Sequence, residues 1–270
     1  AAAPDLAAAS KAYQRTDYKA VIAQLTPAEP KSREAWQLLG QAHYQAGEYK
    51  KAIDIFEKAV AAAPASSDST LWLGRAFGRQ AEHGSPLTAP RNAVKARQAF
   101  EKAVELDAAN KEALSDLLEY YLNAPGFLGG GVDKAAALVD RIARLDAAEG
   151  HFARAQVADK RKDYGSAEAE FRKAAAAAPK QPGRLVDLAR FLARRGRTAE
   201  SDAAFADAAK LAQSTGSPQV MFSRAETFIE QKRNLSEARA LLEKYMASAL
   251  TPDDPPRARA QELLKSIKGS

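Results

Sequence analysis

Between residues 33 and 66, in REAWQLLGQAHYQAGEYKKAIDIFEKAVAAAPAS, apolar side chains recur three or four positions apart in two separate runs. Trp36, Leu39, Gly40 and His43 share one face of a first helix, and Tyr49, Ala52, Phe56 and Ala59 share one face of a second. A 3.6-residue period brings such positions together. Gly47 marks the turn between the helices, and Pro64, which has no N–H to give, stops the second one. The two faces must meet. Small residues at Gly40, Ala52 and Ala59 let the backbones approach, while Trp36 and Phe56 fill the space beside them.

The pattern returns along the chain. Leu73-Gly74 follows Leu39-Gly40 by 34 residues, and Phe205 follows Phe171 by 34. Helix pairs are predicted over 4–30 (closed by TPAEP at 26–30), 33–66, 67–110, 111–147, 148–181, 182–215 and 219–252. A last helix over 254–268, with Asp254 as its N-cap, turns Leu263, Leu264 and Ile267 inward and caps the end. Two pairs are longer than the rest. EHGSPLTAP at 82–90 and APGFLGGGVD at 124–133 lie in the equivalent turn, so both loops are expected on one edge. Phe127 and Leu128, large apolar residues set among glycines, are its candidate contact residues; they either plug the neighbouring repeat or form a lid over a ligand.

Trp36, Leu39, Gly40, Ala52, Phe56, Ala59 and Pro64 resemble the tetratricopeptide repeat signature in type and spacing, with His43 standing where a tyrosine is usual. The resemblance implies an all-α, right-handed superhelical solenoid of about seven helix pairs plus a C-terminal capping helix, read as one domain over 1–270. It also implies a ligand groove lined by the first helix of each pair. Candidate groove residues are Tyr44, Leu71, Arg75, Arg79, Leu122, Asn123, Phe152, Val186, Arg190 and Arg194, with Glu119 and Val220 at further groove-facing positions. Arg75 with Arg79, and Arg190 with Arg194, are four-residue pairs that either grip a carboxylate or pair with nearby acids. The Lys, Asn and Arg set with which some relatives clamp a peptide carboxylate does not occur at these positions.

Composition narrows the chemistry. The 270 residues are 46% hydrophobic and contain no cysteine, which removes disulfides, thiolate metal sites and thiol nucleophiles. The net charge of +6 is spread among alternating acids and bases, unlike the basic face with stacking aromatics that nucleic acid requires. No apolar run approaches the roughly 18 residues that cross a bilayer. His43, His83 and His151 fall in different repeats without a second ligand at metal spacing, so neither metal nor cofactor is expected. Gly126 and Gly131 have a phosphate loop's spacing, but Val132 and Asp133 stand where its Lys and hydroxyl belong. The reading is a non-enzymatic scaffold or adaptor for a protein or peptide partner. The alternative is an envelope carrier of an apolar small molecule such as a lipid or sterol, for which Tyr44, Leu71, Leu122, Phe152 and Val186 offer apolar ground. The start at AAAPDLAAAS, without Met, suggests a periplasmic or exported protein, possibly anchored to the envelope through a missing N-terminus, with the cytoplasm as the other location.

Overall fold

The computed structural model describes residues 5–27 and 32–268, so residues 28–30 of the TPAEP stop lie outside the described residues. Among those described there are α-helices and one short 3₁₀ turn, with no strand. The chain forms two compact units, one running to Leu145 and the other beginning at Asp146. The first contains α1 (Leu6–Gln14), α2 (Tyr18–Leu25), α3 (Arg33–Gln45), α4 (Tyr49–Ala62), α5 (Ser67–His83), α6 (Ala89–Leu106), α7 (Lys111–Asn123) and α8 (Val132–Leu145). The second contains α9 (Ala147–Lys160), α10 (Tyr164–Ala177), α11 (Pro182–Arg194), α12 (Thr198–Thr215), α13 (Gln219–Glu230), α14 (Leu235–Ala247) and α15 (Arg257–Lys268). Seven antiparallel pairs and a final helix match the predicted elements.

In the second, third, fifth and sixth pairs, an aromatic ring of the second helix packs with a small residue of the first. A Cβ added to Gly40 would stand 2.6 Å from Phe56 Cε1, and one added to Gly74 would stand 2.7 Å from Phe100 Cε1. Alanine takes the glycine's place in the second unit, where Ala155 packs in one cluster with Phe171 and Ala189 in another with Phe205. The fourth pair reverses the volumes: Leu118 stands at the small position, Val139 at the aromatic one, and both are buried. Ser201 replaces the small alanine of α12 and is fully buried, but its hydroxyl donates to the Ala189 carbonyl at 2.8 Å. That bond removes the cost of an unpaired buried hydroxyl.

The first helices of five pairs end in the same way. The N–H groups of Asp17, Glu48, Asp163, Arg197 and Arg233 return to the carbonyls of Ala12, His43, Ala158, Leu192 and Phe228, five residues back. This bond requires a left-handed residue in the position before it. Gly47 (φ +77°) and Gly196 (φ +73°) adopt that conformation without a Cβ clash, whereas Thr16 (φ +60°), Lys162 (φ +64°) and Lys232 (φ +52°) do so at a cost.

α5 and α7, the first helices of the two enlarged pairs, lack this ending. The insertion expected as a loop over 82–90 is a turn only over 84–88. The rest of the added length extends the helices: α5 and α6 have 17 and 18 residues where α3 and α4 have 13 and 14. Pro90 is accommodated because the first helical turn has no N–H bond to lose there. At the other end, α15 starts at Arg257, later than expected. Asp254 accepts from Thr251 N and Oγ1 at 2.9 and 3.0 Å, so it closes the preceding turn instead of capping the helix. Leu263 is buried against a cluster containing Leu242 and Tyr245, and Leu264 and Ile267 pack around it.

Two stability measurements test this packing. In urea denaturation, Gly40→Ala should cost about 1–3 kcal/mol through overpacking and Phe56→Ala about 3–5 kcal/mol. With the ring gone, the Gly40→Ala change should become nearly neutral, so additive losses would contradict the contact. Lys162→Gly, which relieves a left-handed Cβ, should raise stability by about 0.5–1 kcal/mol. A lowered melting temperature would show that the turn carries no such cost.

Candidate functional site

In the first unit, α3, α5 and α7 stand side by side because each first helix packs on the next, and their free edges border a cleft of about 500 Å³. Tyr44 comes from α3, Arg75 and Arg79 from α5, and Asp116, Glu119 and Asn123 from α7. Residues 124–128 close one side through Pro125 and Leu128. Its aromatic lining is Tyr44, Phe100 and Tyr120; Tyr44 in turn meets Trp72 edge-on at 5.4 Å and Tyr49 at 5.6 Å, and Tyr49 stacks on His83 at 5.5 Å.

The cations of this cleft are already engaged. Arg75 donates to Asp116 at 2.6 Å and to Glu112 at 2.9 Å, with its guanidinium 4.8 Å from the Trp72 ring centre. Arg79 pairs with Glu82 at 2.6 Å and lies over Tyr49 at 5.6 Å. Glu119 differs, since it makes no hydrogen bond or ion pair. Its side chain is exposed at the cleft surface; the surrounding atoms, with the charges of Asp116 and Glu82, push its carboxyl above the ordinary range, against the pull of Arg75. Desolvation also raises Asp116, against the opposing pull of Arg75, and lifts the Tyr44 hydroxyl to about 12.

The segment after α7 is tightly built. A 3₁₀ turn, Gly126–Leu128, is tied down by Tyr120 Oη donating to the Leu128 carbonyl at 2.9 Å and by Lys134 Nζ donating to the Gly129 carbonyl at 2.9 Å. Only glycine fits at 130, where a Cβ would lie 1.8 Å from the Ala124 carbonyl oxygen. Leu128 turns toward the cleft. Phe127 is 83% exposed, so the two residues do not plug a neighbouring repeat together. Leu87, in the equivalent turn of the preceding pair, is 93% exposed.

The first helices of the second unit are laced by Arg–carboxylate pairs. Arg184 of α11 binds Glu149 of α9 and lies over Phe152 at 4.3 Å; Arg190 binds Glu226 of α13; Arg194 binds Asp159 of α9 at 2.8 Å. Asp187 is pushed up to about 6 by desolvation, with Glu149 adding to it and Arg184 and Arg190 opposing. A second cleft, of about 540 Å³, lies among α12, α13 and α14 and is lined by Ala212, Val220, Met221 and Leu241, with Arg224 and Lys244. Arg224 reaches Glu237 at 2.9 Å, yet its Nε is buried without a hydrogen-bond partner.

The structure gathers Tyr44, Arg75, Arg79, Asn123 and Leu128 into one cleft. It does not place Leu71, Leu122 or Val186 on a groove surface: they are 2%, 6% and 6% exposed, and Val220 is buried as well. The physical reason is that the first helices α3, α5, α7, α11 and α13 are each sandwiched between their own second helix and that of the preceding pair. Two faces of each are therefore buried, where the sequence pattern suggested one. Arg75, Arg79, Arg190 and Arg194 are all paired with acids of the chain, so they do not stand open for a carboxylate. Asp116 and Trp72 were not identified from sequence, because the lengthened α5 and α6 put Asp116 41 residues from Arg75, outside the 34-residue period. His43 is buried and bonded to Glu48 at 2.6 Å. Among the described residues no three His, Asp or Glu side chains are arranged to hold a metal, and no helix is long and apolar enough to cross a membrane.

Tetratricopeptide repeat models match residues 33–66 and 129–182. Among solved structures, a tetratricopeptide repeat protein from Parabacteroides merdae is similar over 97% of this chain and 97% of its own, with a TM-score of 0.62 at 14% identity. A thermophilic tetratricopeptide repeat protein of Thermus thermophilus is similar over 73% of this chain and 96% of its own, with a TM-score of 0.54 at 19% identity. The Cut9–Hcn1 hetero-tetramer of the APC/C is similar over 97% of this chain and 48% of the matching one, with a TM-score of 0.54 at 16% identity. No curated protein matches the sequence. The chain carries tetratricopeptide repeats at 33–66 and 129–182 and shares the fold of the tetratricopeptide repeat structures it resembles.

Asp187 provides a test of the second unit's electrostatics. Its carboxyl rises from 3.8 to about 6 on folding, so the folded state binds the extra proton and stability falls as pH climbs through about 4 to 6. Asp187→Asn should leave stability unchanged near pH 4 and raise it near pH 7 by on the order of 2 kcal/mol. Melting curves of both proteins across this range check it, and a variant less stable at pH 7 than at pH 4, relative to the parent, would contradict it.

Proposed function

We propose that the chain is a non-enzymatic adaptor that holds a segment of a protein partner in the cleft of its first unit. The observation that carries this reading is the convergence of three successive first helices and the 124–128 segment on one cleft of about 500 Å³, lined in part by aromatic rings. Concave, largely apolar sites with a few placed polar groups are where proteins hold ligands. The likeness to a chain of the Cut9–Hcn1 hetero-tetramer, itself a protein complex, supports a scaffold role.

A second reading has its own support. The apolar cleft of the second unit, with the unsatisfied Arg224 Nε and Lys244 on its wall, suits an anionic amphiphile such as a fatty-acid-like molecule. Affinity capture from the source cells, run beside mass spectrometry of organic extracts from the purified protein, separates the two. Gly78 lines the first cleft, and a Cβ there would touch nothing closer than Ala96 Cβ at 4.0 Å, so a side chain can start there without a backbone clash and Gly78→Trp should obstruct the cleft. The adaptor reading expects a captured protein that Gly78→Trp loses, at an unchanged or raised melting temperature because glycine is a poor helix former. Undiminished capture by Gly78→Trp would exclude the cleft, and a bound amphiphile in the extract would support the second reading.

A further inference from the structure

The polarity of the first-unit cleft specifies its partner further, and this step rests on the adaptor reading above. We propose that the cleft selects a basic protein segment, with a lysine or arginine seated against Glu119 and flanking apolar residues packed on Leu128 and Phe127.

The charges lead there by elimination. Arg75 is bonded to Asp116 and Glu112, and Arg79 to Glu82, so two guanidinium groups face three partner carboxylates and Glu119 is left over. Of the cations beside the 124–128 segment, Arg97 is bonded to Glu101 at 2.7 Å, with its Nε buried and unbonded, and Lys134 donates to the Gly129 carbonyl at 2.9 Å. Glu119, exposed in the cleft and without an ion pair, is complemented best by a cation that brings its own donors. An acidic segment would instead meet Glu119 and Glu82, and like charges brought together at an interface suppress the wrong partner. The cleft is therefore locally acidic within a chain of net charge +6, so a basic segment is drawn to this place and not to the surface at large.

The apolar requirement comes from the rim. Phe127, 83% exposed, projects from a segment held by Tyr120, Lys134 and the glycine at 130, so the ring is presented from a fixed backbone. An exposed aromatic on a rigid support costs little conformational freedom when a partner covers it. Leu128 beside it already faces the cleft.

Three fluorescein-labelled decapeptides test the inference by anisotropy at low salt. They share two leucines and a phenylalanine and carry lysine, glutamate or glutamine at the three positions between. The lysine peptide should bind the full-length protein about tenfold more tightly than the glutamate peptide. Glu119→Gln should weaken the lysine peptide about fivefold or more while leaving the melting temperature unchanged, since the exposed side chain forms no ion pair within the chain. Phe127→Ser should weaken the lysine and glutamine peptides alike. Equal or tighter binding of the glutamate peptide, or a lysine peptide indifferent to Glu119→Gln, would overturn the proposal. A captured partner that Gly78→Trp loses but whose binding segment is acidic would overturn it too, while leaving the adaptor reading standing. The loss of both the peptide binding and the cleft-dependent capture would remove the two together.

Discussion

The contact on which the rest of this molecule depends is an aromatic ring seated on a residue with almost no side chain. Phe56 on Gly40 and Phe100 on Gly74 bring two helix backbones close enough that a single added carbon would sit inside van der Waals distance of the ring. Interiors packed this densely tolerate little change of volume. The fourth pair departs from this contact, with Leu118 at the small position and Val139 at the aromatic one, both buried. The first helices α3, α5, α7, α11 and α13 are each clamped between two second helices, and only a narrow strip of each reaches the surface. That strip is where a partner can be met.

The candidate site occurs where the regular turn is abandoned. Five first helices end in the same left-handed turn, which sends the chain directly into the next helix. The third and fourth pairs do not. There α5 and α6 grow past the ordinary repeat length, and α7 leads into the anchored 124–128 segment. The extra length raises walls around the edges of α3, α5 and α7, converting a strip into a cleft and placing Leu87 and Phe127 at exposed turns. A scaffold of repeated local contacts can absorb such additions because each repeat relies mainly on its neighbours.

Much of the architecture was legible in the sequence because glycine, phenylalanine and the 34-residue period carry it directly. Gly47 also announced its turn; Thr16, Lys162 and Lys232 did not, since they adopt the same conformation against their own preference. The site was half legible. Tyr44, Arg75, Arg79 and Asn123 were placed on the free edge by the family resemblance together with the helical period. The burial of Leu71, Leu122 and Val186 was hidden, because one sequence shows which residues share a face but not how many neighbours cover it. The partner of Arg75 was hidden for a related reason: Asp116 lies one lengthened repeat away, and the added helix turns broke the spacing that would have disclosed it. Charge elimination, which singles out Glu119, depends on those cross-repeat pairs and could be carried out only in three dimensions.

The claim that function resides in the first-unit cleft is tested most directly by hydrogen–deuterium exchange of the full chain with and without its captured protein partner. The account predicts slowed exchange around 75–88 and 116–131, with the second helices α4 and α10 unchanged, because a bound segment shields the free edges of α5 and α7 and the turns beside them. Protection confined to α4, α10 or the other second helices would contradict it, since those faces would then be the ones that meet the partner.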